Sequence, residues 1–513
     1  MNRKRGMRVG LALTAGLAVA LAVPAQSAQA NQPAPTPDVL AAQAADQAVA
    51  TSPALAKGAN QVLLRVSTTP GDSGLFYSAY QRTYRGLEVV GGDAVVVTDG
   101  QGRVHDTITA RTDQIAVDTR ATVTKAAAEV VARKQLSSVE QVFNRRLVIL
   151  AGDNSKLAYE INLAGRTAEQ APANLHVFVD AHNGAVLDVR NDVHEGTGNS
   201  FYNGNPVTIN TTRNANGTFS MVDSTRPGLS CGQVSNRQVF TGADDLWGNG
   251  TGTSLETACV DVLYDVQRES DMLRTWLGRN GINGQGRAFP AFVGLNQVNA
   301  FWNGRETQFG HSQDNRRQAT PMDVVGHEYG HAIFQTTPGG AGGGNENGGL
   351  NESNGDIFGA LTEAFANNPN DPPDFQVGEE VNLVGQGPIR FMYNPSLAGD
   401  PNCFSSAIPN TEVHAAAGPQ NHWFYLLSQG SAANPASPTC NGSRITGVGI
   451  QTAARIYYNG LLRKTSAWNY RAARLATVTA ARTLFPNNSV QCNTTKAAWS
   501  AISVPAGATE PAC

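Results

Sequence analysis

The sequence predicts an α+β protein: an α+β region followed by a larger part with a β-rich half and a mainly helical half. Three observations carry this reading. Residues 61–192 alternate apolar and polar positions as strands do, include one helical stretch and contain no cysteine. After His194 the composition shifts to a Gly-, Asn- and Thr-rich run of short strand patterns. From about Thr320 to the C-terminus the periodicity is mostly helical. A chain of 513 residues exceeds one ordinary core, so several domains are expected.

Residues 1–30 read as an export signal. Arg3, Lys4, Arg5 and Arg8 precede an apolar run from Val9 to Val23, and Ala28-Gln29-Ala30 offers small residues for cleavage. The run is short for a membrane span and no second one follows. The expectation is a secreted, extracellular protein without stable membrane association. No cysteine lies near the cleavage position, so no lipid anchor is expected.

Residues 31–60, rich in Ala, Pro and Gln, read as a flexible leader. Two small units follow, 61–115 and 116–194. The first holds strand patterns such as "QVLLRVSTT", and the second opens on a helix near 122–137. Its last two strands, in "LHVFVDAHNGAVLDVRND", meet at a His182-Asn183-Gly184 turn. The β-rich part runs over 195–335 and the helical part over 336–513. "GIQTAARIYYNGLLRKT" and "YRAARLATVTAARTLF" are two clear amphipathic helices in the latter.

Charged residues make up 15% of the chain, the net charge is -3 and no long basic run occurs, which argues against a nucleic-acid partner. The six cysteines all lie from residue 231 onward. An even count in an exported chain suggests disulfides, with fifteen connectivities open. Sequential pairing, Cys231–Cys259, Cys403–Cys440 and Cys492–Cys513, closes a local loop each time and is favoured.

The chemistry starts in "MDVVGHEYGHAIFQ", residues 322–335. Thr320 and Pro321 read as a cap and first position, with Asp323 in the first turn. His327 and His331 then share one helix face and can grip one metal ion, with Glu328 placed to take a proton from its water. Val324, Val325, Ile333 and Phe334 mark the helix as buried. A third ligand is available in "NGGLNESNGDIFGALTEAF", where Glu352, Asp356, Gly359 and Glu363 form a stripe at i, i+4, i+7 and i+11. Glu352 would bind the metal, and Asp356 would hold a ligand histidine through its other nitrogen. A structural zinc site would want four protein ligands; three plus a base favours catalysis.

From about 195 to 513 the chain resembles the thermolysin family of zinc metallopeptidases. "HEYGH" with the glutamate of "GGLNESNGDIFG", "NAFWNG" at 299–304, "PIRFMYNP" at 388–395 and "VHAAAGPQNHWFYLL" at 413–427 follow the family's order. The resemblance implies a two-lobed catalytic domain with the active-site helix between a β-rich and a helical lobe. It makes His327, His331 and Glu352 zinc ligands, Glu328 the general base and His414 a donor to the oxyanion of the tetrahedral intermediate. Asn299 and Ala300 would hold the substrate backbone and Arg390 a substrate carbonyl. Val324, Val377 and Ile389 would line a pocket for a bulky apolar residue after the cut. Asp323, Glu363, Asp374 and Glu379 match calcium-binding positions of the family, while Gln376 stands where another Glu is usual. The implied activity is a zinc endopeptidase acting on protein or peptide substrates, a monomer.

Two departures stand out. The loop "TPGGAGGGNENGG" lacks the family's tyrosine, and Pro409 replaces the aspartate that usually orients the histidine, with Glu412 nearby. Residues 61–194 resemble the family's pro-segment, which implies a pro-region that assists folding, inhibits until removed, and ends near His194–Gly196.

Overall fold

The computed structural model describes residues 35–513 except 52–54, 56–57, 59, 71–73, 111–114, 153, 169–171 and 192. The export segment read at 1–30 lies outside the described residues. Chain contacts divide the protein into two compact units, one up to residue 117 with 149–155, the other 118–148 with 156–513.

The first unit opens with a helix, α1 (Pro37–Thr51). This corrects the flexible-leader reading of 31–60. Ala41, Ala42, Ala45 and Val49 are buried, so alanines that look featureless in the sequence form a packing face. Asp46 anchors the outer side, accepting from Tyr80 Oη at 2.7 Å and Arg65 Nε at 3.0 Å. The partner sheet is built from β1 (Gln61–Pro70), β2 (Leu75–Tyr84), β3 (Leu87–Val90), β4 (Ala94–Asp99) and β5 (Val104–Thr109). Strand β2 pairs antiparallel with β1, β3 and β4, and β4 with β5.

In the second unit, α2 (Lys125–Arg133) is capped by Thr124, whose hydroxyl accepts the Ala127 N–H. Strand β6 (Ser138–Leu150) leads into the antiparallel run of β7 (Lys156–Arg166), β8 (Pro172–Asp180) and β9 (Val186–Asn191). The Asn183-Gly184 turn joins the last two. Gly184 takes φ +78°, and the Asp180 carboxylate accepts the His182 and Asn183 N–H groups.

Strand β10 (Val193–Gly198) spans the position read as the junction and pairs along its length with β11 (Val207–Arg213). With β12 (Phe219–Ser220), β14 (Thr241–Gly242) and β15 (Leu246–Trp247) these form a five-stranded sheet. A second sheet has the order β13 (Cys231–Gln233), β16 (Ala291–Val293), β18 (Thr307–Phe309), β17 (Ala300–Trp302), with β17 at the edge. The reading of 195–335 as β-rich contained no helix before residue 320. The structure places the 23-residue α3 (Leu255–Leu277) there, capped by Ser254 and ended by Gly278 at φ 66°. Its buried face carries Asp261, Asp265 and Glu269, so the apolar period is broken in the sequence.

The remaining helices are α4 (Met322–Gln335), α5 (Asn345–Ala366), α6 (Val413–Ala416), α7 (Gly418–Ser428), α8 (Ile450–Leu461), α9 (Tyr470–Leu484) and α10 (Ser489–Ala501). A two-stranded ribbon, β19 (Gln376–Val377) and β20 (Arg390–Phe391), lies between α5 and α6 in the chain. One apolar core runs from Ile209 to Val504 and includes the stacked rings of Trp423 and Trp499, 4.3 Å apart. The three disulfides are those read from the sequence, with Cα separations of 5.5, 6.1 and 5.7 Å.

Helix α4 starts differently from expectation. Pro321 is itself the cap residue and Thr320 makes no capping bond. The first turn is closed instead by the Val325 N–H on Pro321 O, at 3.0 Å. Helices α4 and α5 then pack through four glycines. A Cβ on Gly326 would stand 2.9 Å from Gly359 Cα, and one on Gly330 would stand 2.8 Å from Gly355 Cα. A Cβ on Gly355 would meet His327 Nδ1 at 2.5 Å. Gly330→Leu therefore overpacks the pair by about 1–3 kcal/mol. Calorimetry should show a melting point lower by several degrees, at roughly 2–4 °C per kcal/mol. An unchanged melting point would sink the close-approach explanation.

Candidate metal centre and active site

The glycine contact brings the polar stripe of α5 against the histidine face of α4. One donor atom each of His327, His331 and Glu352 lies within 4.8 Å of the other two. Glu352 Oε2 sits 3.4 Å from His327 Nε2, and Oε1 sits 3.7 Å from His331 Nε2. The two imidazoles stand at 86° with ring centres 4.6 Å apart. Glu352 Oε2 is buried without a hydrogen-bond partner, as an oxygen reserved for a cation would be. Two imidazole nitrogens and a carboxylate oxygen at this spacing fit zinc.

The outer nitrogen of each histidine is held. His327 Nδ1 faces Asp356 Oδ1 at 2.8 Å, and His331 Nδ1 faces Asn351 Oδ1 at 3.2 Å. Asp356 is fully buried and bridged by Arg390, whose Nη2 reaches Oδ1 at 2.6 Å and whose Nε reaches Oδ2 at 2.7 Å. The Asn421 amide adds a bond to Oδ2 at 2.7 Å. These partners keep the Asp356 carboxyl well below its ordinary range, with Arg390 the strongest, against the opposing effect of burial. Burial would lower His327, but Asp356 and Glu352 outweigh it and raise it to about 10. Burial and the neighbouring His327 push His331 down to about 4. The pair thus holds one positive charge between two carboxylates, the place a divalent ion would take.

Glu328 lies beside the donor set with Oε2 unpartnered. Burial raises it to about 7 against the pull of His327. His414 approaches from the other side, Nε2 3.5 Å from Glu352 Oε2. Its Nδ1 is engaged by Glu412 Oε1 at 2.7 Å, and the other Glu412 oxygen accepts the His414 N–H at 2.9 Å. Glu412 thus holds the ring from two residues upstream, where Pro409 cannot.

Two connected hollows adjoin Glu328. The larger, about 610 Å³, is lined by Asn299, Ala300 and Trp302 of the edge strand region and by His331, Glu352 and His414. Ala341 of the glycine loop also borders it, and no tyrosine appears among its lining residues. The smaller, about 140 Å³, is walled by Val324, Val377 and Ile389 together with Val381 and Leu383. Asn351, Asn421, Val381 and Leu383 were not singled out from the sequence. Asn351 adjoins Glu352 and could have been suspected; nothing in the pattern separates Asn421 from other asparagines. His422 is a core residue, bonded to Asn402 O and Ser437 Oγ at 2.9 Å each.

At the start of α4, Asp323 gathers with Glu363 and Glu379, donor atoms within 4.8 Å of one another. Both Glu363 oxygens, Asp323 Oδ1 and Glu379 Oε2 lack hydrogen-bond partners. Asp374 stands outside that group, its carboxylate turned to the backbone and side-chain amides of Gln376.

Asp356→Asn is expected to weaken zinc binding about 10–100-fold, because His327 loses its anchor. Competition against a chelator measures this, with circular dichroism confirming the fold; wild-type affinity in the variant would refute the anchoring role.

Comparison with known proteins agrees with this geometry. Residues 195–335 match the thermolysin metallopeptidase catalytic domain and residues 344–504 its α-helical domain. Residues 60–106 match the fungalysin/thermolysin propeptide motif. The transglutaminase-activating metalloprotease of Streptomyces mobaraensis is 37% identical over 88% of this chain, which spans 62% of that relative's length. Thermolysin of Alicyclobacillus acidocaldarius is 31% identical over 83% of both chains. The chain belongs to the thermolysin family of metallopeptidases, in a precursor form with the family's propeptide motif ahead of its catalytic and α-helical domains.

Proposed function

We propose that the protein is a secreted zinc endopeptidase, made as a zymogen, that cleaves before bulky apolar residues. The observation that carries this is the convergence of His327, His331 and Glu352 beside the unpartnered Glu328 carboxylate at an open cleft. Zinc, when bound, supplies a Lewis acid that polarises the peptide carbonyl and acidifies water. Glu328 takes the proton of the attacking water as its oxygen joins the carbonyl carbon. It then gives a proton to the amine nitrogen as the C–N bond breaks. His414, held by Glu412, donates to the oxygen on which negative charge develops. Asn299 and the Ala300 carbonyl align the substrate as an added strand along β17. Arg390, already paired with Asp356, turns its remaining donors to a substrate carbonyl.

The hollow walled by Val324, Val377 and Ile389 supports the apolar preference, since these side chains with Val381 and Leu383 give it an apolar wall beside the catalytic groups. The propeptide motif supports a pro-region that restrains the enzyme until removed. Calcium at Asp323, Glu363 and Glu379 is supported by their unpartnered buried oxygens, with Asp374 as a neighbour. The export signal read at 1–30 supports secretion; no helix among the described residues is long and apolar enough to cross a membrane.

Casein hydrolysis by the processed protein should vanish on zinc chelation and return with zinc. Glu328→Ala should cut it about 10²–10⁴-fold while zinc stays bound. His414→Phe should lower kcat about 10²–10³-fold with KM little changed. A Glu328→Ala protein as active as wild type would overturn the mechanism. On a peptide panel, cleavage before Leu or Phe should exceed cleavage before Asp or Lys; the reverse order would reject the pocket assignment.

A further inference from the structure

Helix α3 offers Asp271 and Arg274 one turn apart, and two residues from ahead of the catalytic domain meet them there. Glu140 lies on β6 and Arg166 at the end of β7, neighbouring strands of one sheet. The Ser137 N–H donates to Arg166 O at 2.8 Å and ties the start of β6 to the end of β7. The four side chains close a ring in which the charges alternate. Arg274 donates from Nη1 to Glu140 Oε1 at 2.9 Å and from Nη2 to Asp271 Oδ1 at 2.8 Å. Arg166 donates from Nη2 to the same Asp271 oxygen at 3.2 Å, and its Nε stands 3.5 Å from the same Glu140 oxygen. Each side of the contact supplies one cation and one anion.

The α3 half of the ring is braced from behind. Arg226 donates from Nη2 to Asp271 Oδ1 at 3.0 Å and from Nη1 to the buried Asp223 Oδ2 at 2.6 Å. The side chains of Asp271 and Arg166 are 16% and 18% exposed, those of Glu140 and Arg274 44% and 38%. An isolated exposed ion pair adds little, but shared oxygens around a mostly buried carboxylate form a network, the case in which such pairs count. The outer half of the ring stays open to dissolved ions, which screen it. A hollow of about 60 Å³, room for water, is bordered by all four residues and by Arg226. Among the described residues, the apolar core that runs from Ile209 to Val504 takes in none of 118–194. The hollows beside Glu328 are lined by none of the four.

We propose that Glu140, Arg166, Asp271 and Arg274 form an ionic clasp that keeps the pro-region on the catalytic domain once the chain between them is cut, and that ionic strength governs its release. The inference rests on the reading of 61–194 as a removable pro-region. With no residue of 118–194 in the main apolar core, the contact at α3 depends on charge and hydrogen bonds. Asp271 and Arg274 are the surface on the catalytic side, and the partner they fit is a strand edge that presents one carboxylate beside one guanidinium. Salt opens such a clasp without touching Glu328 or the zinc ligands, so release and catalysis are separable.

The test uses the full precursor carrying Glu328→Ala, which blocks self-digestion, cut at the junction by a trace of the active processed protein. Gel filtration in about 0.1 M and about 1 M sodium chloride then shows whether the pro-region travels with the catalytic domain. It should be retained at the lower salt and released at the higher. Glu140→Gln/Arg166→Gln, which leaves the catalytic domain unaltered, should weaken retention at the lower salt about tenfold. Retention that ignores salt, a charge variant that holds as tightly as its parent, or a parent that loses the pro-region already at the lower salt overturns the proposal. If the junction is not cut, the pro-region reading fails by itself and the uncut chain decides the clasp. Calorimetric melting of Glu140→Gln, Arg274→Gln and the double variant should then be non-additive, and additive shifts reject the clasp.

Discussion

Helices α4 and α5 meet backbone to backbone, and the arrangement of His327, His331 and Glu352 in space follows from that contact. Gly326 and Gly330 face Gly359 and Gly355, and an added Cβ at any of them would fall inside contact distance. At ordinary helix spacing of 8–10 Å the Glu352 carboxylate would stand farther from the two imidazoles. Four glycines each cost roughly 1 kcal/mol of helix propensity relative to alanine. That cost is offset by a geometry in which the histidine face and the carboxylate face enclose one small volume.

The close contact also creates an electrostatic problem, and the surrounding residues are its solution. Asp356 is buried between the helices, and a lone carboxylate there would be costly. Arg390 grips both its oxygens, Asn421 adds a bond and His327 takes the remaining direction. The same group therefore orients a ring, fixes an arginine at the mouth of the cleft and remains charged. Elsewhere the balance is left open. Glu363 is buried beside Asp323 and Glu379 with no hydrogen-bond partner for either oxygen, which leaves room for a cation as the counter-charge.

How far each element could be read from the chain depended on whether its pattern was apolar and local. The paired strands of 61–109, the hairpin at Asn183-Gly184 and helices α8 and α9 carry strong periodicity and matched the structure. Helix α1 did not, because alanine is compatible with both a packed face and a loose leader. Helix α3 did not, because its buried face holds carboxylates where the period demands apolar residues. In the metal centre the chemistry-bearing residues could be named from spacing and motif. The residues that only support them, such as Asn351 and Asn421, could not, since one asparagine in a sequence resembles another. Asp374, a position inferred from resemblance, has its carboxylate on the backbone and side-chain amides of Gln376, a contact between near neighbours that no motif announced.

What the sequence determined by itself was the set of local periodicities, the helix carrying His327, Glu328 and His331, and loop closures short enough to make sequential disulfides favourable. These depend on residues near one another along the chain. What only the tertiary structure decided was which buried charges meet: Arg390 on Asp356, Asp356 on His327, and Asp323 with Glu363 and Glu379. Those pairings join residues on different elements of the chain, and the energy of a charge is set by the burial and neighbours that folding gives it.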